Sequence, residues 1–345
     1  MTTSAAVTPP RPRRWDVIAL GGGIAFSLAF TALIAWLGPR LDAIELLPDQ
    51  GYAWYYWKLP EPTFWTRFSV WGLYLLHQLT AWGLIYYGQT RVRKYSTGLQ
   101  PVNIVALATT AVFIVLHLIQ THIWYDGLAQ DVSIFSSQGS VIVLLVWVLL
   151  MENNRRGMFW GKKLPLGQGI VRWARTYHGY FFAWAAIYTF WYHPMVSTPG
   201  HLIGFVYMFL LLLQGSLMYT RVHVNRYWTL ALELMVLVHG TLVALAQGAG
   251  LWPMFFFGFG GIFIITQMHG IGLKLWAKLL ILAGYAAAVI AVYSQVGWER
   301  INEIIRIQFI DYVAVLLMAG LVAVGLWISS KVRSRRRPVE AEAAS

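Results

Sequence analysis

The chain has 345 residues, of which 58% are hydrophobic and 12% charged, and its mean hydropathy is +0.57. Soluble domains carry about 25% charged residues, so the composition excludes an ordinary soluble domain and indicates an integral membrane protein. The absence of cysteine excludes disulfides, thiolate metal sites, iron–sulfur clusters and covalently attached haem, which leaves His, carboxylate, Met and Tyr as metal ligands.

Apolar segments long enough to cross a bilayer, which takes roughly 20 residues in a helix, recur along the whole chain. They span residues 16–37, 68–88, 102–124, 137–151, 176–194, 201–220, 228–247, 252–268, 275–295 and 309–329. The sequence therefore predicts an all-α, polytopic membrane bundle of about ten transmembrane helices. One membrane domain, 15–330, lies between a polar tail at 1–14 and a basic tail at 331–345 that we expect to be disordered.

The basic residues predict the orientation, because Lys and Arg are retained in short cytoplasmic loops. With the N-terminus inside, most of the 26 basic residues fall on the cytoplasmic side. The opposite side carries most of the acids, among them Asp126, Glu303 and Asp311. We therefore expect both termini in the cytoplasm and a multi-pass protein of the cytoplasmic membrane. The net charge of +12 is explained by the basic cytoplasmic loops and by their contact with anionic membrane lipids. No nucleic acid partner is therefore expected.

All nine histidines lie in or at the ends of the predicted spans, where ionisable groups are costly and indicate functional sites. The helical rise per residue sorts them into three layers by depth. The inner layer holds His178, His223 and His269, the middle layer His77, His117 and His239, and the outer layer His122, His193 and His201.

His178 and His193 enclose an uncharged aromatic stretch and lie in opposite leaflets, about 22 Å apart along one helix. This spacing suits two haems b stacked across the membrane, each held by two imidazoles. The expected pairs are His178 with His223 or His269 inside, and His193 or His201 with His117 or His122 outside; His77 and His239 form an alternative central pair. The candidate cofactor ligands are thus His77, His178, His193, His201, His223 and His239, and the further metal-ligand candidates are His117, His122 and His269.

The segment from His201 to Arg221 opens with His and closes with Gln214, Gly215, Tyr219 and, after an inserted Thr220, Arg221. It resembles a helix of the transmembrane di-haem cytochromes b, which carry electrons from ascorbate or similar donors. The resemblance implies that His201 is an axial haem ligand.

Glu233 is the acid predicted to lie well inside a span, and it is the candidate catalytic residue, as a proton carrier for quinone or ion chemistry. The alternative is a structural ion pair with Arg221 or Arg226. The leading hypothesis is a haem b protein, a membrane oxidoreductase that exchanges electrons with quinone or a partner protein.

Two other functions remain open from the sequence. One is a proton-coupled transporter with a buried relay of His77, His117, Glu233 and His239. The other is a non-haem metal enzyme that acts on a lipid-soluble substrate and holds its metal through three imidazoles.

Overall fold

The computed structural model describes residues 14–48, 50 and 57–342, with side chains described as far as residue 332. This part of the chain folds into ten α-helices and short 3-10 turns, without a β-strand. The helices are α1 Trp15–Leu37, α2 Phe64–Arg91, α3 Pro101–Trp124, α4 Ile134–Arg156, α5 Gln168–Tyr192, α6 Pro199–Ser216, α7 Arg226–Ala246, α8 Trp252–Ile265, α9 Leu275–Val296 and α10 Glu303–Glu342.

Seven helices are long and apolar enough to cross a membrane, which confirms a helical membrane protein. Within the described residues, α2, α5 and α8 fall outside this group. The 14 residues of α8 reach only about 21 Å, less than the roughly 30 Å hydrocarbon core. Each predicted segment coincides with one helix, but the ten-span topology and the position of the termini stay predictions, as do the domain boundaries. The last helix continues through Glu342, into the segment that was predicted to be disordered.

Side-chain caps fix where several helices begin. Thr63 caps α2, Thr198 caps α6 and Asn225 caps α7, each by accepting hydrogen bonds from backbone amides of the first turn. Pro199 occupies the first position of α6, where its missing amide costs nothing. The start of α6 is therefore fixed two residues before His201.

Several helices pack against helices that are distant in the sequence, and not only against the preceding and following helix. The first helix packs against α6, while α5 contacts α2, α4 and α6, so α5 is central. The last helix packs along α8 and also reaches α4, which joins the end of the chain to its middle. The outer half of α5 buries Phe190, Trp191 and Tyr192 completely, and this aromatic core surrounds several of the histidines.

Candidate functional site

Two imidazoles meet near the predicted cytoplasmic side. His178 lies on α5, and His223 lies in the turn between α6 and α7. Their ring centres are 6.5 Å apart and their planes differ by 40°. The structure thus brings together one of the inner pairs that the sequence proposed.

Hydrogen bonds orient both rings in the same way. Nδ1 of His178 lies 2.7 Å from the carbonyl oxygen of Arg175, and Nδ1 of His223 lies 2.8 Å from that of Gln214. A carbonyl oxygen only accepts, so each Nδ1 carries the proton and each Nε2 keeps a lone pair. No described residue forms a hydrogen bond with either Nε2. Metal-binding histidines show this pattern, in which one nitrogen is held by a carbonyl and the other is available.

The separation of the ring centres can be compared with the value expected for two imidazoles on one metal ion. With a metal–nitrogen distance of about 2.0 Å and about 1.1 Å from nitrogen to ring centre, two opposed imidazole ligands have centres about 6.2 Å apart. The observed 6.5 Å agrees with this value. Direct stacking of two aromatic rings would allow a much closer approach, as between His77 and Phe113 at 4.2 Å.

Gln214, which the resemblance singles out, holds His223 in place. Its backbone oxygen accepts from the ring, and its side-chain Nε2 donates to the His223 carbonyl oxygen at 2.9 Å. Its Oε1 accepts from the Trp228 indole at 2.7 Å. The backbone oxygen and both polar atoms of the Gln214 side chain therefore form hydrogen bonds, and two of these bonds hold the turn that carries His223.

His269, the other inner candidate, lies elsewhere. Its Nε2 lies 3.2 Å from the carbonyl oxygen of Ile264, and its Nδ1 lies 3.3 Å from the ammonium of Lys278. Both nitrogens are occupied, and Trp160 packs at the ring edge. Among the described residues, the ring of His269 contacts Trp160 and neither His178 nor His223.

Five further histidines form an outer cluster contributed by α2, α3, α6, α7 and the end of α5. Its members are His77, His117, His193, His201 and His239. The rings of His193 and His201 lie 5.2 Å apart, and the Trp57 indole packs against both. His117 is within electrostatic reach of His77 and His193, and His201 of His193 and His239. The middle and outer layers predicted from depth thus largely merge into one cluster.

Several nitrogens in the outer cluster are buried without a hydrogen-bond partner among the described residues. They are both nitrogens of His117, Nε2 of His201 and Nδ1 of His239. His117 is completely buried, between Phe190 and Trp191. A neutral imidazole has one donor and one acceptor, and leaving both unsatisfied in an apolar interior costs several kcal/mol in apolar transfer estimates. Such atoms indicate a site for a ligand.

The ring of His201 is held like those of the inner pair. Its Nδ1 lies 2.6 Å from the hydroxyl of Thr198, the capping residue of α6. Gly204 leaves room for the neighbouring His239, because a Cβ at this glycine would lie 3.1 Å from the imidazole Cε1.

His77 differs from the others because its Nδ1 is occupied. The Trp191 indole donates to it at 3.2 Å, so Nε2 carries the proton of the neutral ring. The ring also stacks on Phe113 with an interplanar angle of 6°. In this tautomer His77 has no free lone pair, and its assignment as a cofactor ligand stays a prediction.

His122 points away from the cluster. Its Nδ1 donates to the Leu118 carbonyl oxygen at 2.9 Å, and its Nε2 has no partner in the described part of the chain. With Arg40 and Tyr125, among others, it lines a cavity of about 570 Å³. Its assignment as a metal ligand also stays a prediction.

Glu233 forms a buried ion pair, but with a different partner from those expected. Nη1 of Arg156 on α4 lies 2.7 Å from the Glu233 carboxylate, and the two side chains are 2% and 9% exposed. The expected pairing with Arg221 or Arg226 is wrong, because α7 turns Glu233 toward α4. Nε and Nη2 of Arg156 remain without partners among the described residues.

Asp311, which the charge distribution grouped with the acids of the outer side, lies well inside a helix of the structure. Because α10 begins at Glu303, Asp311 lies more than two turns inside the helix and is 1% exposed. Its neighbour one turn earlier, Gln308, is 6% exposed. The signal that could have identified them is the spacing of polar residues along α10, at Glu303, Gln308 and Asp311.

No protein-family model, curated protein or solved structure matches this chain. Within the described residues, no group of three or more His, Asp or Glu side chains is arranged to hold a metal ion. A non-haem metal held by three imidazoles therefore lacks a formed site in this part of the chain. Pairs of imidazoles, which bis-histidine haem b proteins use, are the donor sets present in the described residues.

Proposed function

We propose that this protein is a b-type cytochrome of the cytoplasmic membrane that carries electrons between two haems on opposite sides of the bilayer. The observation that carries the proposal is the pair of His178 and His223, whose ring centres lie 6.5 Å apart and whose Nδ1 atoms are held by backbone carbonyl oxygens, so that the two residues would hold a haem iron between them. When bound, haem supplies a reversible one-electron change that amino-acid side chains do not provide.

At the inner site, the chain's own residues would hold and orient the cofactor. Arg175 and Gln214 fix the two rings through backbone carbonyl oxygens, which leaves each Nε2 directed to a ligand. A hydrogen bond to Nδ1 also raises the basicity of the coordinating nitrogen. This support comes from the backbone, so it persists when the neighbouring side chains change.

At the outer site, we propose His117 and His201 as the ligands. Both have a buried nitrogen without a partner in the described residues, which a metal would satisfy. Thr198 orients His201, and the rings of Phe190 and Trp191 exclude water around His117. His193 and His239 are adjacent and could serve as the alternative ligands.

The central helix α5 sets the distance between the two sites. It runs without interruption from Gln168 to Tyr192, with His178 in its inner half and His193 directly after its end. Their separation along the axis is about 22 Å. We propose ten spans with both termini in the cytoplasm, and a quinone or a partner protein as the electron donor or acceptor.

Electron transfer across the membrane of liposomes that contain the protein tests this function. The purified protein is reconstituted with ferricyanide inside the vesicles and ascorbate outside, and loss of ferricyanide absorbance is followed. The proposal predicts faster reduction than in empty vesicles, and loss of the increase in His178→Ala. His269→Ala is the matched control and should behave like the wild type. Haem-loaded protein that reduces no more ferricyanide than empty vesicles would contradict electron transfer across the membrane.

A further inference from the structure

A second buried polar group lies on α10, where this helix packs along α8. Asp311 on α10 is 1% exposed, and its Oδ2 has no hydrogen-bond partner among the described residues. A lone carboxylate buried in an apolar environment is very costly, and binding a proton removes the charge. Ionisable residues inside a membrane bundle mark proton or ion pathways in many proteins.

Gln308 lies one turn before Asp311 and shares its helix face. Its Nε2 donates to the Phe257 carbonyl oxygen at 3.3 Å, while its Oε1 has no partner in the described part of the chain. Gly261 makes this position possible, because a Cβ there would lie 1.6 Å from Nε2 of Gln308. The free Oε1 is an acceptor for a proton donor such as a protonated carboxyl or a water molecule.

Polar groups continue from this position toward the start of α10. Tyr285 donates to the Phe257 carbonyl oxygen at 3.0 Å, beside Gln308. Tyr293, fully buried about two turns further along α9, is within electrostatic reach of Tyr285 and Glu303, and its hydroxyl has no hydrogen-bond partner among the described residues. Glu303 is 5% exposed and pairs with Arg300 at 2.9 Å. Hydroxyl and carboxyl groups therefore lead from the end of the helix to the interior.

On the other side of Asp311, the polar and charged groups already have other partners. The Tyr312 hydroxyl lies 2.7 Å from that of Thr266. Arg156 acts on Tyr312 electrostatically but pairs with Glu233. The titratable and charged groups around the site are thus Tyr285 and Tyr293 on α9, Glu303 and Tyr312 on α10, and Arg156 on α4. None of them forms an ion pair with Asp311 among the described residues.

We propose that Asp311 and Gln308 form an intramembrane proton-binding site that exchanges protons through Tyr293 and Glu303. The proton binds to a carboxylate oxygen of Asp311, and its release restores the carboxylate without any other reactant. The site uses no histidine, so the proposal does not rest on haem.

Infrared spectroscopy of the full-length protein in lipid detects the proton directly. The wild type should show the carbonyl stretch of a protonated carboxyl that shifts in D₂O. Asp311→Asn should lose this band, while Asp131→Asn, which removes a carboxylate paired with Arg67, should keep it. Asp311→Glu serves as a second variant in case Asp311→Asn does not fold. It keeps a carboxyl group, so it should shift the frequency of the band and not remove it. A band that is unchanged in Asp311→Glu would overturn the proposal.

The route is tested by the rate at which the same band shifts after transfer to D₂O. Tyr293→Phe removes the hydroxyl between Glu303 and Tyr285 and should slow the shift several-fold. Tyr227→Phe, on the exposed start of α7, is the control and should exchange like the wild type. Equal rates in all three proteins would overturn the route. Loss of the band on addition of Na⁺ would instead indicate a cation site and overturn proton binding.

Discussion

The rings of His178 and His223 lie 6.5 Å apart, although one comes from the middle of the bundle and the other from a turn. Each ring is held by a backbone carbonyl oxygen, and each leaves Nε2 available. A structural histidine pair would be expected to use its free nitrogens within the protein. This arrangement supports the proposal that the two rings are ligands of one metal.

Replacing either member of this pair should remove one haem. In His178→Ala and in His223→Ala, we expect the haem-to-protein ratio to fall to about half, because one axial ligand holds a b-type haem poorly. The measurement is the pyridine haemochrome absorbance per mole of chain. His269→Ala, whose nitrogens are bound by Ile264 and Lys278, should retain the full ratio. Equal losses in all three variants would argue against the pair.

His117→Phe distinguishes a ligand from an uncompensated buried histidine. If His117 holds the outer haem, the variant loses that haem and its thermal unfolding midpoint falls. If the two nitrogens are merely unsatisfied, an apolar ring of similar shape removes a penalty of about 1–3 kcal/mol, and the midpoint rises. Haem titration and thermal unfolding of the same sample separate the two outcomes, and we predict the first.

The buried ion pair between Arg156 and Glu233 should stabilise the bundle only while it is complete. Arg156→Met leaves the Glu233 carboxylate buried and unpaired, which costs about 3–5 kcal/mol. The Arg156→Met, Glu233→Met double variant should be less destabilised than the single one. Arg155→Met, which disrupts the more exposed pair with Glu152, should cost no more than about 1 kcal/mol. Unfolding midpoints of the wild type and the three variants measure these differences. A double variant that is less stable than Arg156→Met would contradict the account.

Asp126, in the loop after α3, should make stability depend on pH. Burial raises the pKa of this carboxyl from 3.8 to about 6, although the Gly127 amide donates to its Oδ1 at 2.8 Å. The folded state therefore binds the proton more tightly than the unfolded state, and stability falls as pH rises from about 4 to 6. Asp126→Asn should flatten this part of the profile of unfolding midpoint against pH. An unchanged slope in the variant would exclude Asp126 as its origin.

The cysteine-free sequence allows a direct test of topology. Single cysteines at Lys94 and Lys163 should be labelled by a membrane-impermeant maleimide only from the cytoplasmic side. Cysteines at Glu61 and Gln247 should be labelled from the other side. Intact and lysed cells provide the comparison. Labelling of Lys94 and Gln247 positions from the same side would contradict the ten-span arrangement.

The sequence predicted the helices better than their contacts. The segments 16–37 and 275–295 agree with α1 and α9 to within one residue. The helix α5 begins at Gln168, well before the apolar segment at 176, because backbone hydrogen bonds continue through the polar turn that contains Arg172 and Arg175. Hydropathy marks the apolar part of a helix and not its end.

The candidate sites show the same difference, because the sequence indicated candidate residues but not their contacts. Rise per residue predicts a common depth for His178, His223 and His269. Lateral packing decides which of them meet, and the spacing along one helix carries no information about its neighbours. The Glu233 partner was missed for this reason, since Arg156 comes from a helix distant in sequence. The predicted segment 309–329 already contained Asp311, but the charge count assigned this residue to the outer side.

The most direct test of the central claim is the optical spectrum of the purified protein, expressed with an adequate haem supply. It is recorded oxidised and then reduced with dithionite, with a pyridine haemochrome to count haem. The account predicts a Soret band with sharp reduced α and β bands, and about two b haems per chain, one for each pair of ligands. A correctly folded protein without these bands would contradict it.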